Sequence, residues 1–454
     1  MLKTSVVITI IAVMSISNSS CGSKQSITTD PFAIANEMEA VLTKGMMDIW
    51  YPLCVDKEYG GFLSNFDKAW KKKERQQKFI VTQARHTWAT AQMAKMYPEN
   101  KLYREYSKHG YKFLRDVMWD KEYGGYFTMT NREGKVSDDD RYEMTKIAYG
   151  NAFAIYGLAA YFEISHDSSA LELAIRSFQW LDKYSHDPEY GGYFQFMLRD
   201  GTPLFEGQND TPPKDQNSSI HLIEGFTELY KVWKDDHLKS RINELLVIIR
   251  DTITTEKGYM NLFFLQDWSP VYYTDETYKG GRNEHQFDHV SFGHDIETAY
   301  LLLEASEVIG IENDTKTNRI SKKMTDHTIN NGWDHELGAT YDAGYYFEDD
   351  VMTILNKHTP FWVSTESFHT MLIMSGLYPD DSMDYYDKFA ITWDYCKNYL
   401  IDHEHGGWYR AGLNEDPEAV NGDKGGIWKG NYHSARSLIN CINILRNIES
   451  GHQR

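Results

Sequence analysis

The chain has 454 residues, 41% hydrophobic and 25% charged, a balance that suits a large globular core and excludes disorder and coiled coil. Its 47 Lys and Arg against 66 Asp and Glu leave a net charge of −19, so the surface repels phosphate backbones and anionic lipid, which excludes nucleic acid as a natural partner. Aromatic content is 14%, with 31 Tyr, 21 Phe and 12 Trp, more than a core alone needs and suited to stacking on the flat faces of sugar rings.

Residues 1–20 carry an early cation, Lys3, then an apolar run over 6–14, then small polar residues. This is the layout of a secretory signal, too short to span a bilayer as a permanent helix. Cys21 follows Ser19 and Ser20 and precedes Gly22, which reads as a lipoprotein cleavage site with Cys21 as the lipidated residue and 21–30 as a tether. The expected location is periplasmic or outer-membrane-tethered, with the membrane met only through that anchor. Cys54, Cys396 and Cys441 are odd in number, widely spaced and outside any CxxC pattern, so buried free thiols are expected in place of disulfides or a zinc site.

An internal repeat organises the remainder. An Asp-x-Glu-x-Gly-Gly-aromatic string starts at Asp56, Asp120, Asp187 and Asp402, with a worn copy at Asp334. The starts differ by 64, 67, 147 and 68 residues, and the gap of 147 predicts a sixth, degenerate copy near Thr255, Gly258 and Tyr259. Between the second and third copies, Ile147, Phe153, Ile155, Tyr156, Leu158, Ala159 and Phe162 recur at helical spacing, and Leu171, Leu173, Ala174, Ile175, Phe178 and Leu181 do so after a polar break. One repeat is therefore a pair of helices, ended by Gly-Gly and followed by a short hairpin. Six such helical hairpins, none able to bury its apolar face alone, close into an all-α (α/α)6 barrel of two concentric layers over 31–450, with short β-hairpin loops at one end.

Three of the 17 histidines fall toward the front of predicted inner helices: His221, His294 and His433. A helix N-terminus keeps an imidazole neutral and ready as a base, and a carboxylate one turn along, such as Glu297 after His294, can hold the ring in one tautomer. Arg436 lies one turn after His433. Arg85, on an early inner helix, is a buried cation awaiting an anion, an oxyanion or a carboxylate. Trp362 is the first candidate for stacking on a sugar ring, with Trp428, Trp408 and Tyr149 behind it, and Asn151 is a candidate hydroxyl ligand. No GxGxxG after a strand, P-loop or HExxH is present, so neither a cofactor nor a metal is expected.

These residues carry a resemblance. The stretch Gly293 to Glu297 (GHDIE), the Asn217…His221…Glu224 helix, the Tyr432-His433…Arg436 stretch and Arg85 before Trp88 make the chain similar to the N-acylglucosamine 2-epimerase family, nearest its cellobiose and mannobiose branch, over essentially the whole mature length. The resemblance implies metal-free epimerisation at C2 of a reducing-end hexose, with His294 and His433 as the proton-transferring pair. It further implies His221 assisting at the ring oxygen or anomeric hydroxyl, Arg85 at the intermediate's oxygen, and Glu297 and Glu366 positioning histidines or substrate. Phe361-Trp362 stands where the family carries paired tryptophans, which leaves the substrate open among mannobiose, cellobiose, an N-acylated hexosamine and a free hexose. The expected partner is a small sugar, and the expected assembly a monomer or weak dimer. Other readings stay open: a glycoside hydrolase on the same barrel using an Asp/Glu pair from Asp288, Asp295, Glu297 and Glu366, an aldose–ketose isomerase, and a glycan-binding lipoprotein without activity.

Overall fold

The Gly-Gly turns set the frame. Gly60 and Gly61 sit at φ 79° and 65°, and Gly124/Gly125, Gly191/Gly192 and Gly406/Gly407 share this left-handed conformation, which a side chain strongly disfavours. The Asp that opens each copy accepts backbone N–H groups two and three residues on, as Asp120 does from Glu122 and Tyr123. The aromatic that closes each copy pairs back across the turn: Val55 with Phe62, Trp119 with Tyr126, His186 with Tyr193, Ile401 with Trp408. The degenerate copy expected near Thr255 is present as the Thr254–Met260 bridge, one residue shorter, with Gly258 at φ 100°.

The computed structural model describes residues 27–136, 145–208, 211–272, 287–347 and 350–449, so the expected leader and Cys21 lie outside the described residues. Its helices are α1 (Pro31–Leu42), α2 (Asp48–Leu53), α3 (Ile80–Met96), α4 (Lys101–Phe113), α5 (Ala148–Ser165), α6 (Ser168–Tyr184), α7 (Gln216–Val232), α8 (Asp236–Ile248), α9 (Phe292–Val308), α10 (Thr315–Gly332), α11 (Phe361–Leu377), α12 (Tyr385–Tyr395) and α13 (Tyr432–Glu449). In the inner ring, α3 packs on α5, α5 on α7, α7 on α9, α9 on α11, α11 on α13, and α13 returns to α3. The outer layer is α1, α4, α6, α8, α10 and α12, each against its inner partner. This is the (α/α)6 barrel, with one departure from six consecutive hairpins: the outer helix α1 from the front of the chain packs on the inner helix α13 from its end.

Residue patterns explain the layering. α5 is apolar around its whole circumference and buried almost throughout, as an inner helix must be. Gly157 on α5 and Gly225 on α7 allow close approach, since a Cβ there would lie 2.8 Å and 2.6 Å from the carbonyls of Ala84 and Ala152 on the preceding inner helix. α4 buries only Tyr103, Ser107, Gly110, Tyr111 and Phe113, one stripe of an outer helix. Five of the six outer helices start on side-chain caps, Asp30, Asn100, Asp167, Asp235 and Asp314.

Short strands before the inner helices stitch neighbouring repeats: Lys78–Phe79 pairs with Met129–Thr130, Thr145–Ile147 with Phe196–Leu198, and Lys214–Asp215 with Phe263–Phe264. Each of these leading strands carries a buried lysine that docks on the preceding Gly-Gly turn. Lys78 donates to Asp56 (2.9 Å), the Gly60 carbonyl (2.6 Å) and the Arg132 carbonyl (2.8 Å). Lys214 repeats this with Asp187, Gly191 and Gln266 at 2.8, 2.8 and 2.7 Å, and Lys146 with Asp120, Gly124 and Arg199. An ammonium has three protons to place, and each is placed, so the buried charge is tolerated. Burial would raise the Asp120 carboxyl, but Arg199 and Lys146 hold it down at about 2.

Removing Lys146 leaves the Gly124 and Arg199 carbonyls without its ammonium and Asp120 with Arg199 as its remaining cation. Lys146→Ala is expected to cost about 1–3 kcal/mol in denaturant unfolding. Because the Asp120 carboxyl is depressed in the folded state, its contribution is present above the usual carboxylate range near 4 and fades as pH falls from there toward about 2. The Lys146→Ala protein should show a correspondingly shallower acid transition.

Candidate active site

The N-terminal ends of the inner helices open onto a cavity of about 260 Å3 lined by Arg85, Tyr149, Asn217, His221, His294, Phe361, Trp362, Trp428 and His433. Every inner helix contributes a residue, and Trp428 comes from the loop ahead of α13. The three histidines and Arg85 are thus brought together. His294 and His433 stand at the starts of α9 and α13, whereas His221 lies a full turn into α7. The Trp362 ring sits 4.9 Å from His294 and 5.5 Å from His433, centre to centre. Gly293 makes this possible, since a Cβ there would meet the Trp362 ring at 2.5 Å.

Each imidazole is held at Nδ1, leaving Nε2 for the cavity. His221 Nδ1 meets Glu224 at 2.9 Å, His433 Nδ1 meets Glu366 at 2.7 Å, and His294 Nδ1 meets the Ser291 hydroxyl at 2.9 Å. Burial pushes His294 down to about 3 and, with Arg85 nearby, holds His433 well below the ordinary imidazole range. Both are therefore neutral bases at physiological pH.

Beneath the cavity floor lies a buried ionic hub. Arg436 donates through Nη1 to Glu224 and through Nη2 to Glu297 and to Glu366, the last at 2.7 Å, and the Tyr432 hydroxyl also donates to Glu224. Burial would raise Glu224, but Arg436, His221 and Tyr432 hold it below the usual range. At Glu366 burial wins over Arg436 and the carboxyl rises to about 6. Glu297, Glu366 and His433 bring ligand atoms within 4.8 Å of one another, a set able to hold a cation, but the Arg436 guanidinium already bonds both carboxylates and supplies that charge. Arg85 is handled differently. Its guanidinium lies 4.3 Å from the Phe153 ring centre and 4.4 Å from that of Tyr432, with Nε unpartnered and no carboxylate partner among the described residues.

Several sequence expectations require correction. Asn151 does not line the cavity: its Oδ1 accepts the Tyr126 N–H at 3.0 Å and its Nδ2 donates to the Ile147 carbonyl, which ties α5 to a Gly-Gly turn. Arg436 and Glu297 sit behind the wall and bond each other in place of the cavity, whereas Glu366, also behind the wall, holds His433. Glu297 bonds Arg436 and does not hold His294; Ser291 does. Trp408 is buried away from the cavity. Of the carboxylates considered for hydrolysis, Asp288 accepts from Tyr345 and Asp295 from the Met260 N–H, and no carboxylate is on the wall among the described residues. The residues missed were Asn217 on the wall and Ser291 behind it. Asn217 had a signal in its spacing of four from His221, the same helix face.

The family model for N-acylglucosamine 2-epimerase (GlcNAc 2-epimerase) matches residues 60–437. The chain belongs to this family. The epimerase fold and chemical class follow, so the protein is a carbohydrate epimerase, an isomerase. Among relatives, it is 27% identical to the cellobiose 2-epimerase of Bacteroides fragilis over 91% of this chain and 98% of that one. The solved cellobiose 2-epimerase of Spirochaeta thermophila superposes with a TM-score of 0.79 at 26% identity, covering 94% of this chain and all of that one. A solved D-mannose isomerase shares the fold, with a TM-score of 0.75 at 21% identity over 91% and 99% of the two chains.

Asp295, beside His294, does for one turn what Gln83 and Asn151 do for others, accepting the backbone N–H of a turn residue. Burial holds its carboxyl well above the usual range, so folding disfavours its charged form. A raised carboxyl contributes fully below the unfolded value near 4 and loses that contribution as pH rises. Asp295→Asn in this epimerase is therefore expected to raise stability at pH 7 by about 1–2 kcal/mol, seen as a higher thermal midpoint. It should also flatten the decline as pH rises above the usual carboxylate range, read by thermal melts across pH.

Proposed function

We propose that the protein inverts C2 of the reducing-end hexose of a small saccharide through an enediolate, with His294 and His433 as the two proton-transferring groups. The observation that carries this reading is the pair of neutral imidazoles beside Trp362 in one cavity. The C2 proton of an open-chain aldose is acidic because the pair left behind delocalises into the carbonyl, so the site must take a proton on one face and return one on the other. One Nε2 takes the C2 proton, the C–H pair becomes the C1–C2 double bond, and the carbonyl pair moves onto O1. The partner imidazole, protonated from solvent as the enediolate forms, then delivers that proton to C2 from the opposite side, and the first imidazolium returns its proton to solvent. Arg85, whose charge no carboxylate neutralises among the described residues, is the group suited to the developing oxyanion. His221, backed by Glu224, assists ring opening, and Trp362 stacks on the sugar.

A reducing disaccharide fits this site best. The inner pocket accepts the ring being epimerised, while Trp428, 54% exposed at the rim, offers a face to a second ring. The relatives named cellobiose 2-epimerase support the same class. Return of the proton to C1 would give a ketose, and product analysis separates the two outcomes. With the leader read from residues 1–20 and Cys21, this activity belongs to an exported, lipid-anchored protein acting on oligosaccharides near the cell surface.

Incubation of reducing disaccharides in heavy water, followed by proton NMR, should show loss of the C2 signal together with appearance of the 2-epimer. His294→Ala and His433→Ala should each lower this exchange by at least about 100-fold, and near-wild-type turnover in either would remove the two-base assignment. Trp428→Ala should raise KM for a disaccharide about tenfold, equivalent to one ring contact of roughly 1.4 kcal/mol, with little change for the free hexose.

A further inference from the structure

The partners of the three imidazoles are not equivalent. Glu224 and Glu366 are carboxylates, whereas the group behind His294 is the hydroxyl of Ser291. Ser291 occupies the N-cap position of α9, where a serine hydroxyl normally accepts a backbone N–H from the first turn, yet it makes no such capping bond. Its hydroxyl turns instead to His294 three residues on. The backbone fixes this choice: Val290–Ser291 is a strand paired antiparallel with Ala343 and Gly344, and Ser291 is buried.

Resting on the two-base reading above, we propose that Ser291 is the positioning residue of His294, holding its ring in place without the charge that a carboxylate partner would add. The chemistry of the two partner types carries the argument. A carboxylate accepts from Nδ1–H and stabilises the imidazolium, so it raises basicity and locks Nε2 as an acceptor. A hydroxyl carries no charge to stabilise an imidazolium. It has one proton and two lone pairs, so it accepts when Nδ1 is protonated and donates when Nδ1 is bare, keeping the ring in place in either tautomer. His294 can therefore take a proton at Nε2 without moving, and gives it up readily. The groups facing His294 are Glu297 on its own helix, His221 on α7, His433 on α13, and His289. Glu297, the carboxylate that would oppose this, is bonded to Arg436.

The test compares Ser291→Ala, Ser291→Thr and Ser291→Asp in the full-length protein, with His294→Ala alongside. Ser291→Ala should lower kcat by about 10- to 100-fold at unchanged KM. Ser291→Thr, which keeps the hydroxyl, should restore most of it. Ser291→Asp, which places a carboxylate at Nδ1, should move the acidic limb of the kcat/KM profile up by about one pH unit or more. Equal losses in the Ala and Thr variants, or an acidic limb unmoved in the Asp variant, would overturn the assignment. If Ser291→Asp does not fold, the Ala/Thr comparison with its split between kcat and KM decides alone. Loss of C2 exchange in His294→Ala with wild-type behaviour in Ser291→Ala would sink this inference and leave the two-base reading standing; retained exchange in His294→Ala would sink that reading first.

Discussion

Everything at the bottom of this cavity depends on one guanidinium. Arg436 meets carboxylates from three other inner helices, Glu224 on α7, Glu297 on α9 and Glu366 on α11, all buried. Three carboxylates withdrawn from water carry a desolvation penalty of several kcal/mol each, and only a charged partner with fixed, planar, multiply directed donors offsets it. A lysine has the charge but not the fork. The same contacts aim the chemistry, because Glu224 and Glu366 are also the groups that hold His221 and His433. The ionic floor and the orientation of the imidazoles are thus a single network, and they cannot be altered separately.

The two arginines of the site divide the work. Arg436 is charge-balanced by carboxylates and structural, whereas Arg85 is clasped by aromatic faces that hold its position without cancelling its charge. Aromatic packing around the cavity also removes water from the imidazoles, which is why His294 and His433 stay neutral despite neighbouring carboxylates. A neutral base beside a free positive charge is what proton abstraction next to a carbonyl demands, and both follow from the same apolar wall.

Much of this was legible in the residues. The Gly-Gly period is visible because φ above zero admits little else, and the barrel follows from six units that each need a neighbour. The histidines were found because they sit near helix starts with apolar spacing behind them. The buried lysines were not found: Lys78, Lys146, Lys214 and Lys424 lie 22, 26, 27 and 22 residues after their aspartates, a drifting offset that hides a constant contact in space. Asn151 was misread because its partner, the Tyr126 N–H, belongs to a turn 25 residues earlier. Behind His294, helical spacing pointed to Glu297, but Arg436 from α13 captures that carboxylate, and a contact between helices so far apart in the chain leaves no periodic trace.

The pairing of α1 with α13 has a consequence for how the molecule comes into being. His433 and Arg436 both ride on α13, the last of these helices to be synthesised. Until that segment docks, Glu224, Glu297 and Glu366 face a gap in the inner wall as mutually repelling anions with no counterion. Circularisation, neutralisation of that core and completion of the reaction centre are consequently one event, and a nascent chain that stops before α13 is neither closed nor competent.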